Sequence, residues 1–372
     1  MRIRTLTRFT VLCVVVGLAW LAIAVAALEP VWTRQARRPV PDAVASGSEP
    51  DSYPYGSAPF MQLVRDSYGQ VQGREASEFT RWMDRAYRRS GMGFSCEKTG
   101  LEQSLRALQR DIARTPGGEA RARAEIRIAA RLHALVKQMM PRFSLDRGYE
   151  FHNVVRYGER QCLLQSVLIA SMLQRIGINA GVVMVFRNDH GELSNNGHAV
   201  VLVKLSDGQD ILVDASPAEP FPRLQGLLVR APRYQYVSPV YFGASPRIAG
   251  YELAGPSGTV SPSHLEALDY AFLRSQFWYY RGERATGGVL AAHPTGAGLT
   301  ASARFLRQSV SLCPKNALAM YMLGRTYLAQ GKAAQARTLL SRSNAEYARC
   351  GWVPDGPRQY LAAACGRTPL RG

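Results

Sequence analysis

Within residues 162–186, an apolar helical run comes directly before a run that is typical of a buried strand. This segment constrains the fold more than any other part of the chain. Residues 162–176 are apolar on most sides, as in a helix enclosed by a domain core. Gly177 is well placed to end that helix. The β-branched run at 180–186 then predicts a buried strand. We therefore predict an α+β fold in which a core helix packs on an antiparallel sheet.

A β-hairpin is predicted next, because two β-rich runs, 198–205 and 209–215, flank a Ser-Asp-Gly turn. A two-residue loop would place His198 and Asp214 on opposite faces of the hairpin. A three-residue loop with Gly208 in the left-handed conformation would place them on the same face, as diagonal neighbours about 7 Å apart. The three-residue loop suits the glycine, so we predict that arrangement.

Helical patterns lie on both sides of this block. Three are predicted near 74–89, 99–114 and 118–140, and residues 317–343 fit the tetratricopeptide pattern, with a partner helix pair expected within 265–282 and 299–312. The predicted regions are an anchor or signal at 1–30, a flexible linker at 31–60, a helical N-terminal part of the core at 61–142, the core at 143–255 and a tetratricopeptide-like helical region at 262–372.

An uncharged run of 20 residues, 9–28, follows Arg2, Arg4 and Arg8. Its length is sufficient to span a bilayer, which predicts a membrane anchor with the main domain exported. The expected location is a bacterial inner membrane, with the domain facing the periplasm or the cell exterior. A cleaved signal followed by secretion is the alternative, because small residues near position 26 suit a signal peptidase.

The chain carries a formal charge of +18, which on its own would suggest anionic partners. The arginines are dispersed along helical stretches without a run of five or more, as on solvated helix faces. No groove-reading module accompanies them, so we do not expect a nucleic-acid partner.

Export would allow cysteines to pair. Cys13 lies in the apolar run and Cys162 in the core helix, which leaves Cys96, Cys313, Cys350 and Cys365. Pairing of Cys350 with Cys365 is the most local of the three connectivities, and unpaired buried thiols are the alternative.

Cys162, His198 and Asp214 stand in the order of a nucleophile, its base and the group that orients the base. Cys162 begins the core helix, where free backbone N–H groups and the helix dipole favour a thiolate. Each residue alone has an ordinary structural interpretation: a core thiol, a histidine at a strand end and a turn-capping aspartate. The remaining histidines show no metal-ligand spacing, so we expect no metal and no other cofactor.

The segment from about 156 to 220 resembles the transglutaminase-like (papain-like) superfamily of cysteine enzymes. Cys162, His198 and Asp214 match the positions of that family's catalytic cysteine, histidine and aspartate, and the Gly-His-Ala of 197–199 is also family-like. The resemblance implies a transglutaminase-like core and a Cys-His-Asp triad. Arg160 departs from the family pattern, because glycine is common two residues before the cysteine.

The function expected from these features is an exported, membrane-tethered thiol enzyme that acts on amide bonds of proteins or peptides, with hydrolysis favoured over cross-linking. The backbone N–H of Cys162 and the side chain of Gln161 are the candidate oxyanion donors. Residues 9–28 would contact the membrane, and the helical C-terminal region would bind a protein partner. The alternative is an inactive transglutaminase-like and tetratricopeptide scaffold that binds a peptide or an envelope protein.

Overall fold

A computed structural model of the protein describes residues 51–94, 100–255 and 258–366. All of these residues fall within one unit, Glu49–Gly372. The described helices are α1 Ala58–Tyr68, α2 Ser77–Ser90, α3 Leu101–Arg114, α4 Glu119–Met139, α5 Phe151–Tyr157, α6 Cys162–Arg175, α7 Tyr270–Glu283, α8 Gly296–Leu312, α9 Ala317–Ala329, α10 Ala333–Arg349 and α11 Asp355–Ala364.

The described strands form a two-stranded pair, β1 with β2, and a seven-stranded sheet in the order β5-β4-β3-β6-β7-β8-β9. Their bounds are β1 Arg142–Phe143, β2 Glu159–Arg160, β3 Ala180–Arg187, β4 Leu193–Lys204, β5 Asp210–Val213, β6 Gly226–Arg230, β7 Tyr234–Tyr241, β8 Ile248–Leu253 and β9 Thr259–Val260.

The larger sheet closes on itself, and this barrel corrects the prediction of a core helix packed on an antiparallel sheet. Its neighbouring strands are antiparallel, but β5 also pairs with β8 through Asp210 and Ile248, which closes six strands into a barrel. The interior is a separate apolar cluster that includes Val200, Leu212 and Tyr251. Closure removes the two free edges that an open sheet would expose.

The core helix α6 packs against the outside of this barrel. The outward residues Ala199, Val201 and Val203 of β4 belong to the same apolar cluster as the leucines of α6. Ser166 on α6 donates a hydrogen bond to the carbonyl oxygen of Ala199, at 2.9 Å. The predicted mixture of a buried helix and antiparallel strands is therefore confirmed, with the barrel as its actual form.

The three predicted N-terminal helices correspond to α2, α3 and α4. One part of the predicted flexible linker at 31–60 is wrong, because residues 51–60 pack on the core. Tyr53 and Tyr55 are buried, and the Tyr53 backbone N–H donates to the Gln174 side chain at 2.7 Å. Residues 31–50 lie outside the described residues. Tyr53 and Tyr55 pack on the core even though the composition of this segment is typical of a linker.

The C-terminal helices continue directly from the barrel. Helix α7 packs against α8, α9 packs against both α8 and α10, and α11 packs against α10. Gly324 permits the close approach of α9 and α10, because a Cβ at this position would lie 2.7 Å from the Leu340 side chain. The expected helical region is therefore confirmed.

The prediction of a membrane location requires correction. In residues 51–94, 100–255 and 258–366, no helix combines the length and the apolar character needed to cross a bilayer. The proposed span at 9–28 lies outside these ranges.

Cysteine pairing also differs from the expected local pair. Cys162, Cys313, Cys350 and Cys365 are free thiols, so Cys350 and Cys365 do not form a disulfide. Cys350 and Cys313 are buried, whereas Cys365 is exposed. Cys96 lies outside the described residues.

Candidate active site

The candidate nucleophile Cys162 is the first residue of α6. Gln161 precedes it in an extended conformation, and its side chain does not cap the helix. The first backbone N–H groups of a helix have no partner within the helix and carry its positive dipole end. Cys162 therefore lies where an anionic sulfur or an oxyanion would be stabilised, although only 7% of the residue is exposed.

The backbone that leads into Cys162 is held by the short β1–β2 pair. The backbone N–H of Ser144 donates to the Arg160 carbonyl oxygen at 3.0 Å. Gly148 packs so closely beside it that a Cβ would lie 2.2 Å from the same oxygen. Any side chain at position 148 would displace this segment, and with it the start of α6.

The β4–β5 hairpin has the predicted register. The Leu205 backbone N–H donates to Gln209 at 2.8 Å across a three-residue loop, and Gly208 has φ +85°. The pairing of Val201 with Val213 continues this register, which places His198 and Asp214 on the same face. The loop geometry thus determines that these two side chains meet.

His198 and Asp214 are in direct contact. His198 Nε2 lies 2.6 Å from Asp214 Oδ2, and the two side chains are 28% and 7% exposed. The other ring nitrogen, Nδ1, remains for the Cys162 sulfur, with which His198 also interacts. The structure therefore brings together all three residues that the sequence singled out.

The charges around His198 favour its protonated form. Burial lowers its pKa, but the hydrogen bonds to Asp214 and Cys162 and the attraction of these two anions outweigh burial and raise the pKa to about 10. An imidazolium at neutral pH is the partner that a thiolate requires. The site therefore favours a protonated His198 between Asp214 and Cys162.

Asp214 is fixed by the loop that follows it and by α4. Its Oδ1 accepts a hydrogen bond from the Ser216 backbone N–H at 2.8 Å. Lys137 on α4 donates to the carbonyl oxygens of Ser216 and Pro217 at 3.0 and 2.6 Å. His133, one turn earlier, also interacts with this loop, and burial lowers its pKa. These contacts hold the carboxylate against His198.

Two further residues lie close enough to Cys162 to interact with its charge: Arg160 and Tyr280. Arg160 donates to the Gln165 side chain at 3.0 Å, and the nearby Cys162 opposes the lowering of its pKa by burial. Burial raises the pKa of Tyr280 well above its usual value, so this hydroxyl stays protonated. Arg160 thus supplies a positive charge beside the sulfur.

A cleft of about 280 Å³ lies beside the site, between the barrel and the C-terminal helices. Gln161, Asn195 and Gly197 line one side, and tyrosines of α7 and α9 line the other. The candidate oxyanion donor Gln161 therefore faces the cleft, and its Oε1 has no hydrogen-bond partner. Across the described ranges, no group of three His, Cys, Asp or Glu residues is arranged to hold a metal ion.

Sequence reasoning did not identify the roles of Lys137, His133, Tyr280 and the cleft residues other than Gln161. Lys137 reaches the site from a separate helix, and Tyr280 lies 118 positions after Cys162 in the numbering of the chain. A single sequence holds no signal for such distant pairs.

Comparison with known proteins identifies one segment. Residues 305–338 match the tetratricopeptide repeat family, from the second half of α8 into α10. No curated protein matches the chain. Stacked helical repeats present extended binding surfaces, which is consistent with a protein partner for this region.

Proposed function

We propose that this protein is a transglutaminase-like thiol enzyme that acts on amide bonds of peptides or proteins through Cys162, His198 and Asp214. The single observation that carries the proposal is the position of His198 between Asp214 Oδ2, at 2.6 Å, and the Cys162 sulfur at the start of α6. A merely structural histidine needs one of these partners. A nucleophile–base–orienter arrangement requires both.

In the proposed reaction, the Cys162 thiolate attacks the amide carbonyl carbon, and the negative charge moves to the carbonyl oxygen. The His198 imidazolium then donates its proton to the leaving nitrogen, the C–N bond breaks, and an acyl thioester remains. Water attacks the thioester carbon while neutral His198 accepts its proton. Breakage of the C–S bond releases the acid and restores the thiolate and the imidazolium.

Asp214 holds the His198 ring so that its other nitrogen faces the sulfur, and it stabilises the positive charge. The Cys162 backbone N–H and the Gln161 side chain are the proposed oxyanion donors, because Gln161 lies at the helix start, faces the cleft and is not used as a cap. Hydrolysis is proposed over cross-linking, since water needs no second binding site. Incubation with a primary amine and analysis of the products would separate the two.

Alkylation with iodoacetamide tests the proposal without a known substrate. Cys162 should react near neutral pH roughly tenfold or more faster than an ordinary thiol, because a sulfur at a helix start beside an imidazolium is activated as a nucleophile. His198→Ala should abolish this advantage. The exposed Cys365 is the internal control, since its rate should follow ordinary thiol behaviour in both proteins.

A second candidate function is a non-catalytic scaffold, favoured by the tetratricopeptide match and by the burial of Cys162. In that case, Cys162 would react no faster than Cys365, and the reaction would not depend on His198. The same alkylation experiment therefore separates the two functions.

A further inference from the structure

The cleft beside Cys162 contains a positive charge that forms no ion pair with a carboxylate of the described residues. Arg325 on α9 lines the cleft, and no Asp or Glu of the described residues forms an ion pair with it. Its Nε is buried without a hydrogen-bond partner. A guanidinium in this state is suited to bind a carboxylate through its two parallel N–H groups.

The Arg325 guanidinium is held in place by aromatic rings. It lies 4.4 Å from the centre of the Tyr360 ring and 5.6 Å from that of Tyr321, and it also interacts with the Tyr321 hydroxyl. Cation–π contacts of this kind fix the plane of the guanidinium. Little side-chain freedom would then be lost when an anion binds.

The other charges of the cleft are already paired. Glu283 accepts hydrogen bonds from Tyr279 at 2.6 Å and from Arg284 at 3.1 Å. Arg284 also lies 3.6 Å from Asp146. Arg325 is therefore the charged residue of the cleft that has no ion-pair partner among the described residues, and it is available to an anion that enters the cleft.

The cleft also carries apolar surface at its rim. Leu145 and Leu290 line it and are 45% and 39% exposed. The volume of about 280 Å³ lies just below the range of typical ligand pockets, which is roughly 300–1,000 Å³. A group of one or two amino-acid residues fits this space better than an extended chain.

The position of His198 indicates which part of a substrate enters the cleft. In the proposed reaction His198 donates its proton to the leaving amine, so the amine lies on the His198 side of the sulfur. Gly197 and Asn195, from the same strand, line the cleft on that side. The cleft therefore adjoins the leaving amine.

We propose that this cleft binds the free α-carboxylate of the leaving amino acid or dipeptide through Arg325, so that the enzyme cleaves near the C-terminus of its peptide substrates. This inference rests on the proposed function for the reaction, but the carboxylate site itself can be tested by binding alone. Leu145 and Leu290 would contact the side chain of the leaving residue, while Arg325 fixes its carboxylate.

The binding test uses the Cys162→Ala protein and a pool of N-acetylated random pentapeptides, prepared both as free acids and as C-terminal amides. After equilibrium dialysis, the free acids should be enriched about tenfold over the amides, because a hydrogen-bonded charge pair is lost in the amides. Introducing Arg325→Gln should remove the enrichment. Arg337→Gln, which changes an exposed arginine of α10 outside the cleft, should leave it unchanged.

Equal retention of acids and amides, or a preference that survives Arg325→Gln, would overturn the assignment. Arg325→Lys, which keeps the charge but not the paired N–H groups, should retain a smaller preference. This variant, together with the unfolding midpoint of each protein, distinguishes loss of the site from loss of the fold.

The turnover test uses the protein with Cys162 intact and the same pool. Single residues or dipeptides that carry the original C-terminus should be released from the acids and not from the amides. Acid-selective binding without any turnover would refute the proposed enzyme while supporting the carboxylate site. Equal turnover of acids and amides would refute the carboxylate site while supporting the enzyme.

Discussion

The ammonium group of Lys137 on α4 lies 3.0 Å from the main-chain carbonyl oxygen of Ser216, two residues after Asp214. The same group also donates to Pro217 at 2.6 Å. A helix outside the barrel thus holds the loop that carries the third member of the candidate triad. The position of Asp214 depends on α4 as well as on its own hairpin.

Lys137→Met should release this loop while leaving the three triad side chains intact. We expect alkylation of Cys162 at pH 7 to slow roughly tenfold, because small displacements of a positioned group have large effects on rate. The exposed Lys332→Met is the matched control and should leave the rate unchanged. An unaltered rate in Lys137→Met would mean that the hairpin alone positions Asp214.

Arg160→Met removes the positive charge that interacts with the Cys162 sulfur. The anionic sulfur would lose an attractive partner, so its alkylation at pH 7 should slow by roughly threefold to tenfold. The rates are to be measured beside those of Arg156→Met, which alters an exposed arginine of α5. If both variants react at the wild-type rate, Arg160 has no electrostatic effect on the thiol.

Glu150→Gln should strongly destabilise the protein. Glu150 and Arg281 form two hydrogen bonds, of 2.7 and 2.9 Å, between the start of α5 and α7, and their side chains are only 8% and 2% exposed. Removal of one partner leaves a buried charge unpaired, at a cost of about 3–5 kcal/mol. Urea unfolding measures this cost.

The matched control for this pair is Glu78→Gln, which breaks the more exposed pair with Arg74. Surface pairs contribute about 0–1 kcal/mol, so little change is expected there. Equal effects of the two substitutions would show that the Arg281 pair does not join the C-terminal helices to the core.

The ionisation of Asp210 should lower the free energy of unfolding as the pH rises from about 4 to about 6. Burial raises its pKa to about 6, against the opposing effects of Lys204 and Tyr251. The folded protein therefore holds this proton more tightly than the unfolded chain, and the stabilisation present below pH 4 is lost as Asp210 ionises.

A shift from 3.8 to about 6 corresponds to roughly 3 kcal/mol between pH 4 and pH 7. In Asp210→Asn, this part of the pH dependence should disappear, even though the loss of the Lys204 partner lowers the stability at every pH. The measurement is urea unfolding of both proteins at pH 4 and pH 7. The same pH dependence in both proteins would exclude Asp210 as its source.

The parts of the fold that the sequence predicts are those with local physical causes. The position of Gly208 in the loop determined the hairpin register, and Gly177, with φ +85°, ends the apolar α6 at the expected place. The closure of the barrel depends on Asp210 and Ile248, which are distant in the chain and carry no local pattern that indicates their pairing.

The candidate site likewise has one part that the sequence predicts and another part that it does not. The order and setting of Cys162, His198 and Asp214 are visible in the sequence because Cys162 begins an apolar helical run and Asp214 directly follows a β-rich run, although His198 lies within β4 and not at its start as expected. Lys137 and Arg325 reach the site or its cleft from helices with their own ordinary amphipathic patterns. Their roles follow from tertiary packing, which a single sequence does not encode in any local spacing.

Titration of His198 by NMR, in protein with ¹⁵N-labelled histidine, tests most directly whether the three residues form one coupled unit. We predict that His198 stays protonated through neutral pH and releases its proton near pH 10, and that Asp214→Asn and Cys162→Ala each lower this pKa. A wild-type His198 that titrates near 6.5, or a pKa that neither substitution changes, would contradict the coupling on which the proposed function depends.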